Sequence, residues 1–240
     1  GAIIVDPSPL YLSEPLFAEV GSGYQTNGRG YNTSFEVGKG LKKWSYFFNG
    51  NYNRIGDRHA PNYNLTNTGK EEFSGGFGAR YRVEKWDLKT YYSLVDQNLA
   101  ILRGSFAHSG AAIVRAFNAD QPDSVYRLPF SYDVLEPSQK TQHHLAKVEL
   151  KWFYSDHGNL TYRVGRQLNY RKGFDVRRNS NLPIVDLTLS TVDHQLEWKH
   201  PDWFKLNGII GLQYFYQDND NNPGTQTTPF IPNYNTGRYS

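Results

Sequence analysis

The sequence predicts an all-β protein, more narrowly an antiparallel transmembrane β-barrel, here a partial barrel of about nine to ten up-and-down strands. Three features carry that expectation: period-two alternation of apolar and polar residues, few aliphatic residues beside many rings, and tight connections alternating with long ones. Of the 240 residues, 38% are hydrophobic; setting aside the 18 Tyr and adding the 22 Gly leaves about 40%, below the ~45–50% of soluble domains. Aromatic residues reach 15%. A helix bundle or a doubly wound α/β domain needs more aliphatic core than this.

Residues 14–25 open the series, and Asn27-Gly28-Arg29-Gly30 turns it into 30–38, where Tyr31, Thr33, Phe35 and Val37 alternate with Asn32, Ser34 and Glu36. In 44–54, Trp44, Tyr46 and Phe48 oppose Ser45, Asn49, Asn51 and Asn53. In 71–83, Phe73, Phe77, Ala79 and Tyr81 oppose Glu72, Arg80 and Arg82; in 86–102, Trp86, Leu88, Tyr92 and Leu94 oppose Asp87, Lys89 and Ser93. Residues 141–154 set Ala146, Val148, Leu150 and Trp152 against Lys147, Glu149 and Lys151. Segments 159–175 and 185–199 follow, then 205–217, where Leu206, Ile210, Leu212 and Tyr214 oppose Asn207, Gln213 and Gln217. A tenth strand is expected near the C-terminus. Successive strand side chains point to opposite sides, so each segment carries one apolar and one polar face. No helical stripe at i, i+3, i+4 runs through them. Several segments exceed the ~5–6 residues of soluble strands and suit tilted strands that project beyond a bilayer.

Connections 40–43, 83–85, 155–158 and 200–204 are short, whereas 56–69, 103–140, 177–184 and the segment from 218 onward are long. Only the first hairpin is short where a long loop is due. Tight turns at one rim and large loops at the other are the pattern of a membrane barrel. Trp44, Trp86, Trp152, Tyr154, Trp198 and Trp203 fall near the short turns, as an interfacial girdle would. The competing reading packs these rings into a soluble sandwich. Two places strain the pattern. Arg166 falls in the apolar row Leu160, Tyr162, Val164, Leu168, Tyr170. Facing lipid there would cost about 2–4 kcal/mol, so a bulge, a snorkelling path or a different register is expected. In 185–199, Leu187 and Leu189 share one parity while Val192, Leu196 and Trp198 share the other, which predicts a β-bulge.

Charge narrows little: 26 Lys+Arg against 23 Asp+Glu gives +3, too weak for a nucleic-acid footprint. The absence of Cys excludes disulfides, thiolate metal sites and a cysteine nucleophile. A chain without Met that opens on Gly1 is expected to be part of a longer product. No signal peptide and no long apolar run is present, which excludes helical spans but not strands of ~9–11 residues. The histidines His59, His108, His143, His144, His157, His194 and His200 contain no H-E-x-x-H pair, and a strand would send His143 and His144 to opposite faces. No Gly-x-Ser-x-Gly elbow or phosphate-cradling loop occurs. No catalytic, cofactor-binding or metal residue is assigned, and no enzyme is expected.

Ser74-Gly75-Gly76-Phe77-Gly78 lies within a strand, where glycine allows twist or the close approach of a segment filling the barrel. Asp218-Asn219-Asp220-Asn221-Asn222 begins like a calcium loop, but Pro223 and Pro229 stand where Gly and Glu are needed. A solvated loop stiffened by Pro223, Pro229 and Pro232 is expected, with a calcium site of another kind left open. Segment 103–140 is the best candidate for ligand contact. Its Phe106, His108, Phe117, Tyr126, Arg127, Phe130 and Tyr132 would suit a glycan, a haem-like ring or a catecholate. Packing of these rings onto neighbouring loops is the equal alternative, so no ligand-binding residue is assigned.

Gly1-Ala2-Ile3-Ile4-Val5-Asp6-Pro7-Ser8-Pro9-Leu10 resembles the last plug strand and crossover of bacterial TonB-dependent outer-membrane receptors, most similar to those of Bacteroidota. Phe17-Ala18-Glu19-Val20-Gly21-Ser22-Gly23-Tyr24 resembles their first barrel strand. Leu196-Glu197-Trp198-Lys199-His200-Pro201, the stretch Tyr216 to Thr225, and Phe230-Ile231-Pro232-Asn233-Tyr234 resemble a strand–turn–strand–loop unit of that family. The resemblance implies residues 1–10 as the end of a plug and 11–240 as the N-terminal part of a barrel that has ~22 strands in the family. It implies the bilayer, a small nutrient ligand and the TonB energy-transducing complex as partners, and admits a surface lipoprotein over the mouth. Siderophore, haem, vitamin, peptide and oligosaccharide receptors share that scaffold. A soluble or surface β-sheet adhesion or glycan-binding module is the alternative.

Overall fold

The computed structural model describes residues 10–105, 109–175, 182–201, 208–229 and 231–240. Its strands are β1 (Phe17–Gln25), β2 (Gly30–Gly40), β3 (Trp44–Ile55), β4 (Arg58–Ala60), β5 (Tyr63–Leu65), β6 (Lys70–Val83), β7 (Trp86–Ala100), β8 (Ser138–Phe153), β9 (Asn159–Phe174), β10 (Val185–Lys199), β11 (Ile209–Asn221) and β12 (Tyr234–Tyr239). Ten of them form one antiparallel sheet in the order β1-β2-β3-β6-β7-β8-β9-β10-β11-β12, and β4 pairs only with β5. The protein is all-β, a large up-and-down meander. The sheet does not close on itself, so β1 and β12 are its edges.

The turns explain the rims. Four residues connect β1 to β2, with Gly28 at φ +90°, and a Cβ on Gly28 would lie 2.6 Å from Ile55. Only glycine accepts that conformation and that approach without strain. The long connections carry structure that periodicity did not reveal. The β3–β6 loop holds the β4–β5 hairpin, and the β7–β8 loop holds α1 (Gly110–Phe117), whose N-cap Ser109 accepts the Ala112 N–H at 3.2 Å. Residues 218–221 are not loop but the end of β11. The proposed turn 200–204 with Trp203, and Leu206 beyond it, fall largely outside the described residues, as do 1–9 and most of 177–184.

Cross-strand partners share a face, so the register sorts the side chains. Trp86, Trp152, Leu160, Trp198 and Ile210 form one rung near the short turns. The next rung carries Trp44, Tyr81, Leu88, Leu150, Tyr162, Leu196 and Leu212. Rings meet along this margin: Trp86 stacks on Trp152 at 5.7 Å, Trp44 lies 4.3 Å from Tyr81, and the Trp198 indole donates to the Tyr154 hydroxyl at 2.8 Å. Near the long loops the same face turns polar, along Arg54, Glu71, Asn98, Lys140, Lys172 and Asp186.

No element of the described chain forms a second layer over the apolar face; the substantial contacts between elements are all between ladder neighbours. Among the described residues only Phe47, Ile55 and Ala100 are buried hydrophobics, while Trp44 is 51% and Leu212 66% exposed. The predicted bulge in β10 is absent. Its register with β9 and β11 runs unbroken, so Leu187 and Leu189 project from the polar side. Leu187 meets Ile101, Phe174, Ile184 and Ile231 there, around a cavity of about 310 Å³ at the loop end. Arg166 keeps the same regular register and stays on the apolar face, between Ala146 and Val192.

Candidate functional site

The polar face of β6–β11 is the most organised feature of the molecule. Asp87, buried at the start of β7, accepts from Arg80 Nε at 2.8 Å and Nη2 at 2.6 Å, with Arg82 Nη1 at 3.5 Å. This is the fork geometry that makes arginine–carboxylate pairs strong. Farther along the sheet, Glu149 receives Lys89 at 2.9 Å and Arg163 at 2.7 Å, and Arg163 reaches on to Glu197 at 2.8 Å. Asp193 closes the row, accepting from Gln213 at 2.8 Å and Gln195 at 2.7 Å. Five strands, β6 to β10, are thus laced together by ion pairs.

A chain segment lies against this lattice. Arg80 Nη1 donates to the Leu10 carbonyl at 3.0 Å, and the Gly40 N–H donates to the Glu14 carbonyl at 2.9 Å. A Cβ on Gly40 would fall 2.4 Å from the Tyr11 carbonyl, so the absence of a side chain there admits the segment. A cavity of about 620 Å³ remains between Leu10, Tyr11 and the wall of Phe47, Tyr91, Lys147 and Arg163. The face can grip a polypeptide through backbone carbonyls and fixed charges. Neither composition nor motif revealed the lattice. Hairpin counting would have found part of it: Arg82 and Asp87, like Arg80 and Lys89, lie equally far from the turn between β6 and β7.

The glycine run Ser74-Gly75-Gly76-Phe77-Gly78 has a local cause. A Cβ on Gly78 would sit 2.3 Å from the Phe47 ring, and one on Gly76 would sit 2.6 Å from Asn49. These glycines make room for side chains of β3, and Phe47 is only 2% exposed as a result.

The described long-loop candidates do not form one site. Phe106 and His108 lie outside the described residues. Phe117 is 84% exposed on α1. Tyr126 offers its carbonyl to the Thr66 hydroxyl, and Arg127 donates to Gln121 at 2.9 Å. Phe130 lies under the Arg29 guanidinium at 4.2 Å, and the Tyr132 hydroxyl donates to the Arg29 carbonyl at 2.7 Å. Phe130 and Tyr132 therefore pin the loop onto the first hairpin. His143 and His144 take opposite faces: His143 is 3.3 Å from Asn169 and His144 is 2.8 Å from the Tyr92 hydroxyl. Asp218 and Asp220 share one face of β11, while Asn219 and Asn221 on the other hold the returning chain at Pro232 and Ile231. No cluster of three or more potential metal ligands occurs among the described residues.

Comparison with models of known protein families and with curated proteins finds no match for this chain.

Proposed function

We propose that the chain is the N-terminal part of the barrel of a TonB-dependent outer-membrane receptor for active import of a scarce nutrient, such as a siderophore, haem, vitamin or oligosaccharide. The observation that carries this reading is the ring-rich face that no described element covers, set opposite a face laced by ion pairs. Its height fits a bilayer. From the Trp86–Trp152 rung to the Asn98–Lys140 rung is about 12 residues, and at ~3.3 Å per residue with a ~40° tilt this spans about 30 Å. That equals the hydrocarbon thickness of a membrane.

In this reading lipid wets the rings, the charged lattice lines the lumen, and the segment at Leu10–Glu14 leads in from the plug. Further receptor strands would pair at β1 and β12. The TonB energy-transducing complex, a small nutrient ligand and, over the mouth, a surface lipoprotein are the proposed partners. Detergent phase partition of the parent protein tests the reading. Recovery in the detergent phase and in a bacterial outer-membrane fraction is expected; recovery in the aqueous phase without detergent sinks it.

A further inference from the structure

At the loop end the polar face turns apolar. Val185 and Leu187 of β10 project from it, and Ile101, Ile184, Pro229 and Ile231 come in from three connections to surround the cavity of about 310 Å³. A cavity of about 150 Å³ takes a benzene ring, so this one has room for two fused rings or an alkyl chain of like bulk. Gly173 of β9 keeps it open. A Cβ there would meet Val185 at 3.5 Å and Ile184 at 3.9 Å, which are ordinary contact distances, and its φ is not positive. Neither crowding nor backbone conformation requires glycine at this position, so its bareness leaves space.

Arg171 is the cation on this wall. It lies on β9 between Thr141 and Leu187, on the same face as Arg163. Its Nη2 donates to Gln139 Oε1 at 2.7 Å, and Gln139 Nε2 donates to Thr141 at 3.2 Å. The guanidinium is thus held by a neutral amide, and among the described residues no carboxylate pairs with it. Its diagonal neighbours are Gln139, His143, Val185 and Leu189, none of them acidic. The two carboxylates that border the cavity are already engaged. Asp186 takes Lys172 at 3.2 Å and Asn222 at 2.8 Å, and Asp175, only 3% exposed, has a partner of its own. Arg163, eight residues away, is neutralised by Glu149 and Glu197; Arg171 keeps its charge.

We infer that this cavity binds a small lipophilic acid, its apolar body among Ile184, Val185, Leu187 and Ile231 and its carboxylate on Arg171. A mostly apolar pocket with one placed charge is the common form of a small-molecule site, and the planar guanidinium fork matches a carboxylate with two parallel hydrogen bonds. That this acid is the imported nutrient rests on the receptor reading, in which the loop end is the outer mouth; the site itself rests on the cavity and Arg171.

The test uses the complete parent protein in lipid nanodiscs, titrated calorimetrically with 2-naphthoate, octanoate and the neutral 2-naphthamide, with empty nanodiscs as blank. Wild type should bind both acids saturably at one site. R171Q should bind the acids about tenfold more weakly, the worth of one charge-assisted contact, and the amide unchanged. G173L should lose all three ligands while its thermal midpoint holds or rises. L187N, which makes the wall polar without filling it, should weaken all three and gives a second reading if G173L folds poorly. Failure of wild type to bind either acid above the blank overturns the inference. Acid binding by R171Q equal to wild type overturns the role of Arg171, and unchanged binding by folded G173L or by L187N overturns the cavity. Arginine-dependent binding by a parent protein that partitions into the aqueous phase keeps the site and sinks the receptor reading. Absence of binding by a detergent-phase protein does the reverse.

Discussion

Arg163 and Arg166 are three residues apart on β9 and face opposite ways. Arg163 is clamped between Glu149 at 2.7 Å and Glu197 at 2.8 Å, both supplied by neighbouring strands. Arg166 is opposed by Ala146 and Val192 and has no described partner. The same residue type is satisfied from within the sheet on one side and left to its surroundings on the other. The difference shows how the faces are built: the polar side neutralises its own charges across strands, and the apolar side offers rings to whatever lies beyond it.

The largest expected effect breaks the polar side. Asp87→Ala strips the acceptor from a nearly buried Arg80 fork, leaving an uncompensated cation, and should cost about 3–5 kcal/mol in chemical unfolding. A cost within experimental error would mean that water reaches this carboxylate freely. Next comes a paired substitution across the sheet. Val148→Lys on the apolar face should cost about 2–4 kcal/mol in vesicles, whereas Ser93→Lys on the polar face should stay within about 0.5 kcal/mol. Because Val148 is already 37% exposed, equal small effects would place both faces in water. The smallest effect tests the ring margin. Trp198→Phe removes the indole donor to Tyr154 and should cost about 0.5–1.5 kcal/mol by thermal unfolding, with the sheet otherwise intact.

Alternation was legible wherever a strand was long and had one clean face, as in β3, β6, β7 and β8, whose expected limits fall within a few residues of the observed ones. It misled at β10. Leu187 and Leu189 suggested a bulge because they break phase, but both are apolar residues on the polar side, and Leu187 lines the loop-end cavity with Phe174 and Ile231. A period reports what each residue is, not which neighbours it meets. Asp218 to Asn221 read as loop because Asp and Asn favour turns, yet pairing with β10 and β12 holds them extended. The β4–β5 hairpin and α1 are too short to leave a period at all.

The amino-acid order alone determined that strands form, roughly where they run, and that each has a wet and a greasy side, because side-chain direction in an extended chain follows from local geometry. Only the tertiary structure decided which charges meet. Arg163 finds Glu149 and Glu197 through the register of β8, β9 and β10, and register is set by the turns and by every rung of the ladder together. The segment at Leu10 comes under Arg80 for the same reason, since residues seventy positions apart become neighbours only after the sheet has formed.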